Sequence, residues 1–208
     1  MEDINKKLLE NSKKSNKNTI PQKNIITQSS NSNDINEKIN KKIIIKISEL
    51  LTNICEENTK DIKNEINSVI KNFVSKNIPT ISIKDYLDRL CNYSKINSST
   101  ILLIIIYIDR LCNIYKFKLS YYNIHKLILS SMLIAVKYNE DERYSIKFYA
   151  KLGGITKTEL CFLEYNFISL LDFNLFISEE LYKKYDDYAS SADNEEDEDD
   201  YNDSDYDD

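Results

Sequence analysis

Residues 98–115, SSTILLIIIYIDRLCNIY, contain an apolar run from Ile101 to Ile108 that carries no charge before Asp109. Such a run is typical of a helix that is buried on all sides or of a core strand, and periodicity alone does not separate the two. The run continues past ordinary strand length, and two serines and a threonine stand before it, where a helix N-cap is expected. We therefore predict a central helix that other helices must cover.

This run is too short to cross a membrane, because a span needs about 20 apolar residues and the charges of Asp109 and Arg110 follow at once. No membrane partner is expected. Asp109 lies within the stretch predicted to be buried, and an unpaired buried charge costs several kcal/mol. We therefore expect a cationic partner for Asp109 elsewhere in the chain.

The composition favours an all-α fold. The 208 residues include only two glycines and two prolines, which leaves little material for the tight turns of an all-β fold or for phosphate-binding loops. A chain of this length can bury a proper core and accommodates one domain with extensions.

The net charge of −6 hides two unlike parts of the chain. The last sixteen residues hold eleven carboxylates and no basic residue, so removing those eleven negative charges leaves a net charge of +5. A body that is only mildly basic lacks the dense basic stripe of a nucleic-acid-binding protein. We therefore expect no nucleic-acid partner.

The cysteines and the one histidine indicate neither a metal site nor a disulfide framework. Cys55, Cys91, Cys112 and Cys161 are far apart and form no CxxC pair, and the N-terminus shows no secretory signal. Reduced, buried thiols in the cytoplasm or nucleus are the expected state, with no metal and no cofactor. For the single histidine, His125, a hydrogen-bonded packing role is favoured over catalysis.

The apolar pattern divides the chain into four parts. Residues 1–34 are polar and lack periodicity, which predicts disorder. Residues 35–75 form a helical extension that begins with an amphipathic helix, and residues 76–188 hold five consecutive helices followed by a short C-terminal helix. Residues 189–208 form an acidic tail that is also predicted to be disordered.

Polar residues at helical spacing mark the predicted helix starts. The central helix is predicted to start at the serines described above. Gly153 and Gly154 are consecutive, and they predict a left-handed C-terminal end for the short helix that precedes them. The other starts are predicted at Ser82 with Asp85, Ser120, Ser145, Thr156 with Glu159, and Ser178.

In this order and with these short gaps, five sequence blocks resemble the cyclins, and within them the Pho80-like (P/U-type) cyclins. The blocks are FVSKNIPTISIKDYLDRLCNYS (residues 73–94), IYIDRL (106–111), NIHKLILSSMLIAVKY (123–138), YSIKFYAKLGGI (144–155) and ELCFLEYNFISLLDFNL (159–175). The resemblance implies a single five-helix cyclin box around a buried second helix, which agrees with the all-α interpretation. It also implies a regulatory subunit without catalytic residues, in a heterodimer with a cyclin-dependent protein kinase.

The resemblance assigns roles to four residues. In cyclins, an Arg of the first box helix pairs with an Asp of the second, and the matching positions are Arg89 and Asp109. A Lys at the end of the third box helix and a Glu in the fifth grip the backbone of the kinase C helix, and they match Lys137 and Glu164. We therefore expect a structural ion pair between the first two residues and kinase binding by the last two.

Two further interpretations stay open, and two features depart from better-known cyclins. The acidic residues Glu140, Asp141 and Glu142 are candidates for receiving arginines of the kinase activation loop, with a solvated loop as the alternative. A non-cyclin helical adaptor, or a transcription-factor-like protein of the same fold, is the alternative to kinase activation. We expect no second cyclin box after Leu175, and DYLDRL in the first box helix places the usual substrate-recruiting groove in doubt.

Overall fold

The computed structural model describes residue 4, residues 31–61 and residues 68–191, and every regular element among them is helical. The prediction of an all-α fold is confirmed. A short 3₁₀ turn, Ser68–Phe73, stands between the first and second helices. The helices are α1 (Asn31–Asp61), α2 (Ile83–Ser94), α3 (Ser98–Tyr115), α4 (Ile124–Asn139), α5 (Ile146–Gly153), α6 (Lys157–Leu170) and α7 (Glu179–Ser190).

Helices extend into both terminal segments that were predicted to be disordered. Helix α1 begins at Asn31, within the segment predicted to be disordered, and Ile4 is fully buried in the core. The rest of residues 1–30 lies outside the described residues, as do residues 62–67. Helix α7 continues two residues into the predicted acidic tail, of which residues 192–208 lie outside the described part.

Helix α3 is the core of the molecule. Its residues are buried without interruption from Thr100 to Asp109, as the apolar run predicts. Helices α1, α4 and α7 pack against it. By length and composition it is the one helix of the described residues that could cross a membrane, but 67% of it is buried inside the protein, which favours a core helix.

Small residues let α4 approach α3 closely. The hydroxyl of Ser131 donates a hydrogen bond to the carbonyl of Ile104 on α3 at 2.8 Å, and both Ser131 and Ala135 are fully buried. A larger side chain at either position would push the two backbones apart. This close contact fixes α4, which ends at the candidate site.

Most predicted helix caps are present. The side-chain oxygens of Ser82, Ser145, Thr156 and Ser178 each accept a hydrogen bond from the backbone N–H three residues later. The prediction for Ser120 is wrong, because α4 starts at Ile124 with Asn123 at its N-cap. The Asn123 side chain instead accepts the N–H of Ser120 at 3.0 Å and so closes the preceding turn.

The two glycines serve different purposes at one corner. Gly154 has a φ of 74° and ends α5 in the left-handed conformation that was predicted. Gly153 lies within α5, where an added Cβ would meet Cδ2 of Leu129 on α4 at 2.2 Å. The absence of a side chain therefore lets α5 pack against α4.

Candidate functional site

Lys137 and Glu164 lie side by side on the surface. Lys137 is in the last turn of α4 and Glu164 is in the middle of α6, and Nζ of the lysine lies 2.5 Å from Oε1 of the glutamate. Their side chains are 42% and 17% exposed. The structure thus brings these two sequence-predicted residues together, while their predicted role in kinase binding stays a prediction.

The burial pattern of the two helices explains this position. Helix α4 is buried as far as Val136 and leaves the core in its last turn, so Lys137 and the two residues after it face solvent. Helix α6 buries Leu160, Leu163 and Phe167 against the core. Glu164 follows Leu163 at the flank of that buried face, which turns its carboxylate toward the end of α4.

Aromatic side chains are exposed on the elements that carry the ion pair. Tyr138 is 54% exposed and Tyr165 is 67% exposed, each one residue after a member of the pair. The connection between α6 and α7 adds Phe173 and Phe176, which are 64% and 71% exposed. These side chains are available for contact with a partner, and a contiguous exposed apolar patch is typical of an interaction site. These residues were not predicted from the sequence, although the phenylalanines of LLDFNLF were a usable signal.

Two side chains of α3 bind the main chain of the connection between α6 and α7. Arg110 donates hydrogen bonds to the carbonyls of Asn174 and Phe176, the second at 2.8 Å. The hydroxyl of Tyr107 donates to the carbonyl of Leu175 at 3.0 Å. The central helix thereby fixes the backbone that displays the phenylalanines. No sequence rule identified Arg110, because its partners are main-chain atoms more than sixty residues away.

The contacts of Arg89 and Asp109 involve residues that were not predicted from the sequence. The guanidinium carbon of Arg89 lies 5.2 Å from the centroid of the Tyr86 ring. One carboxylate oxygen of Asp109 accepts hydrogen bonds from the Tyr185 hydroxyl at 2.6 Å and from the Asn113 amide at 2.9 Å. Burial raises the pKa of Tyr185, with the Asp109 charge as a second cause. The ion pair between Arg89 and Asp109 is not among these contacts and stays a prediction.

The Glu140 side chain makes hydrogen bonds within the protein. Its carboxylate accepts hydrogen bonds from the backbone N–H of Asn97 at 2.9 Å, from the Asn97 amide at 2.8 Å and from the Thr100 hydroxyl at 2.5 Å. It therefore caps α3 from the end of α4, where the sequence predicted that the serines would do so. Asp141 and Glu142 are exposed, so these two residues remain the main candidates for contact with the kinase activation loop.

His125 has the packing environment that was favoured over catalysis. Its Nε2 lies 3.0 Å from the carbonyl of Ile81, and its ring centroid lies 5.0 Å from that of Tyr86. Burial lowers the pKa of His125, and the positive charge of Arg89 lowers it further. The imidazole is therefore held in its neutral form.

Of the four cysteines, three are buried and Cys161 is exposed, so the expectation of burial is wrong for Cys161. Burial raises the pKa of Cys55 and of Cys91 to about 12. Thiols with such pKa values are not reactive nucleophiles at neutral pH.

Comparison with known proteins identifies a family and relatives for this chain. The cyclin family model matches residues 6–175. The chain is 36% identical over 121 residues to PHO85 cyclin-like protein psl1 of Schizosaccharomyces pombe, covering 57% of this chain and 50% of the relative. It is 31% identical over 154 residues to PHO85 cyclin-7 of Saccharomyces cerevisiae, covering 68% of this chain and 54% of the relative.

A plant relative matches over more of its own length. The chain is 30% identical over 153 residues to Cyclin-U4-1 of Arabidopsis thaliana, covering 72% of this chain and 75% of the relative. The chain spans about half the length of the two yeast relatives. The match to the family model covers most of the chain and includes both residues of the exposed ion pair. The chain therefore belongs to the cyclin family, as a Pho80-like cyclin.

Proposed function

We propose that this chain is the regulatory subunit of a cyclin-dependent serine/threonine protein kinase, and that it has no catalytic activity of its own. The observation that carries the proposal is the ion pair of Lys137 and Glu164 at the surface, with exposed aromatic side chains on the same two helices and on the connection after α6. We name the surface formed by Lys137, Tyr138, Glu164, Tyr165 and Phe173 the docking face.

The chemistry of the docking face suits a helix end. A segment at the end of a kinase helix presents carbonyl and amide groups without intrahelical partners. A lysine can donate to such carbonyls and a glutamate can accept from such amides. The ion pair between Lys137 and Glu164 lies at the surface, with the lysine side chain 42% exposed and the glutamate 17%, and surface pairs contribute only about 0–1 kcal/mol. Exchanging it for contacts with a partner therefore costs little.

The proposed mechanism needs no chemistry on the cyclin. Binding presses the kinase C helix inward, so that its glutamate meets the strand lysine that holds the ATP phosphates. The energy of binding thereby completes an active site that the kinase alone leaves open. An interface of standard size, about 1,600 Å², supplies enough buried surface for such a contact.

We extend the proposal to Asp141 and Glu142, which stand as acceptors for arginines of the kinase activation loop. They would replace the negative charge that a phosphate provides in many kinases. Activity of the complex with an unphosphorylated activation loop supports this extension, and strict dependence on phosphate removes it. The buried thiols agree with a reducing compartment, and we propose the cytoplasm or the nucleus.

The test exchanges the charges of the docking face without removing the ion pair. In the double variant Lys137→Glu with Glu164→Lys, the two side chains still attract each other, but donor and acceptor change places with respect to the partner. Helices α4 and α6 also carry the pair of Lys126 and Glu159, 2.9 Å apart. The exchange Lys126→Glu with Glu159→Lys is therefore a matched control.

The measurement is recovery of a kinase with the tagged chain from native cells, followed by a phosphorylation assay. We expect the wild type and the control exchange to recover an active kinase, and the docking-face exchange to lose it while its unfolding temperature stays unchanged. Recovery of an equally active kinase by the docking-face exchange would show that the face is assigned wrongly. A chain that recovers no kinase at all would favour the alternative of a cyclin-fold protein without kinase activation.

A further inference from the structure

A groove of about 490 Å³ lies beside the docking face. It is bounded by the start of α3, the end of α4, the connection after α6 and the start of α7. Leu103 and Ile177 line it with aliphatic surface, and three rings, those of Tyr138, Phe176 and Tyr182, also line it. Its size falls within the range of about 300–1,000 Å³ that is usual for ligand sites.

Of the described residues that line the groove, one is charged, Glu179, and three carry hydroxyls that can donate or accept: Ser99, Tyr138 and Tyr182. The amide nitrogen of Asn139 is committed to the protein, because it donates to Ser99 Oγ at 3.0 Å and to Thr100 Oγ1 at 2.7 Å. A ligand would therefore meet the amide oxygen of Asn139. The exposed carboxylate of Glu179 adds a negative charge at the start of α7.

The walls of the groove are fixed by contacts from outside it. Arg110 and Tyr107 hold the main chain at Phe176 and Leu175, as described above. Asn139 is held by the first turn of α3. Groups that are already in place lose little conformational freedom when a ligand binds, which favours affinity.

We propose that this groove binds an arginine or lysine side chain of a polypeptide partner. The aliphatic stem would pack on Leu103 and Ile177, and the cationic head would lie among aromatic rings, with Glu179 and the Asn139 oxygen as acceptors. An anionic ligand would be repelled by Glu179. A purely apolar ligand would gain nothing from the charge of Glu179. Lys137 does not compete for Glu179, since it pairs with Glu164.

The position of the groove indicates what the partner does. Tyr138 belongs to both the groove and the docking face, so a peptide held in the groove lies next to the kinase. We assign the basic segment to a substrate of that kinase, and this assignment rests on the proposed function. The binding chemistry of the groove does not rest on it.

The first test measures binding of a labelled ten-residue peptide with one arginine flanked by leucines to the full chain, by fluorescence anisotropy. The matched peptide carries glutamine in place of the arginine. The matched protein variants are Glu179→Gln and Glu180→Gln, which remove neighbouring exposed carboxylates of α7, of which only the first lines the groove.

We expect the arginine peptide to bind at least about threefold more tightly than the glutamine peptide, as a cation held by aromatic rings and one exposed carboxylate predicts. Glu179→Gln should reduce that preference and Glu180→Gln should keep it. Equal binding of the two peptides, equal effects of the two variants, or no binding at millimolar peptide would each overturn the proposal.

A second measurement separates this inference from the proposed function. The arginine peptide is titrated into the docking-face exchange of Lys137 and Glu164, for which unchanged peptide binding is expected whether or not a kinase is recovered. The recovered kinase is then added to the wild-type chain with peptide bound. Retention of the peptide supports a substrate site, whereas displacement would show that the kinase itself fills the groove and would overturn the substrate assignment.

Discussion

Replacing Glu140 by glutamine tests whether this residue caps the central helix. The native carboxylate accepts hydrogen bonds from the main chain and side chain of Asn97 and from the buried hydroxyl of Thr100. Glutamine has nearly the same size, but it lacks the charge, and only one of its two terminal atoms can accept a hydrogen bond. The change therefore removes the negative charge and one acceptor while leaving the packing intact.

The expected loss follows from these contacts. A helix cap contributes about 1 kcal/mol, and a hydrogen bond to a charged group contributes about 1.5–3 kcal/mol. Because Glu140 is partly exposed to solvent, we expect about 2 kcal/mol in total. For a chain of this size, a loss of that amount lowers the unfolding temperature by about 4–8 °C.

Thermal unfolding followed by circular dichroism measures this loss. The control is Asp141→Asn, which removes an exposed carboxylate one residue later and should change the free energy of unfolding by less than about 0.5 kcal/mol. The reasoning is refuted if Glu140→Gln unfolds at the wild-type temperature, or if Asp141→Asn is destabilised by as much.

Three other predictions concern the core. Gly153→Ala should lower the free energy of unfolding, measured with denaturant, by about 1–3 kcal/mol, because the added methyl collides with Leu129. An unfolding midpoint equal to that of the wild type would contradict this. Tyr185→Phe should lower the free energy of unfolding by about 1.5–3 kcal/mol in the same assay, because it removes the hydroxyl that donates a hydrogen bond to Asp109. An unchanged free energy of unfolding would mean that this contact does not stabilise the fold. The folded protein favours neutral His125, so stability should fall as the pH drops below the ordinary histidine pKa of about 6.5. His125→Gln should lose that slope between pH 5 and 7, and an unchanged slope would assign it to other groups.

The fold follows from sequence patterns that are local. The apolar run from Ile101 to Ile108 predicts the central helix because no surface of it tolerates water, and capping residues such as Ser82 and Thr156 predict helix starts through contacts three residues away. The cap of α3 could not be predicted in this way. It comes from Glu140, 43 residues along the chain from Asn97.

Part of the candidate site could also be predicted from the sequence, and part could not. Lys137 and Glu164 could be identified because the cyclin resemblance assigns roles to their positions, and the structure then brings the two together. The groove could not be identified, since Leu103, Asn139 and Glu179 come from three helices and meet only in the folded chain. The contacts from Arg110 to main-chain carbonyls are equally invisible in the sequence, because every residue offers a carbonyl.

Hydrogen–deuterium exchange of the recovered kinase, alone and with this chain, tests the docking face most directly. Our account predicts slower exchange in the kinase C helix, and in this chain slower exchange at the end of α4, in α6 and in the connection after it. Protection of this chain confined to α1 and α2, with an unchanged kinase C helix, would contradict the account.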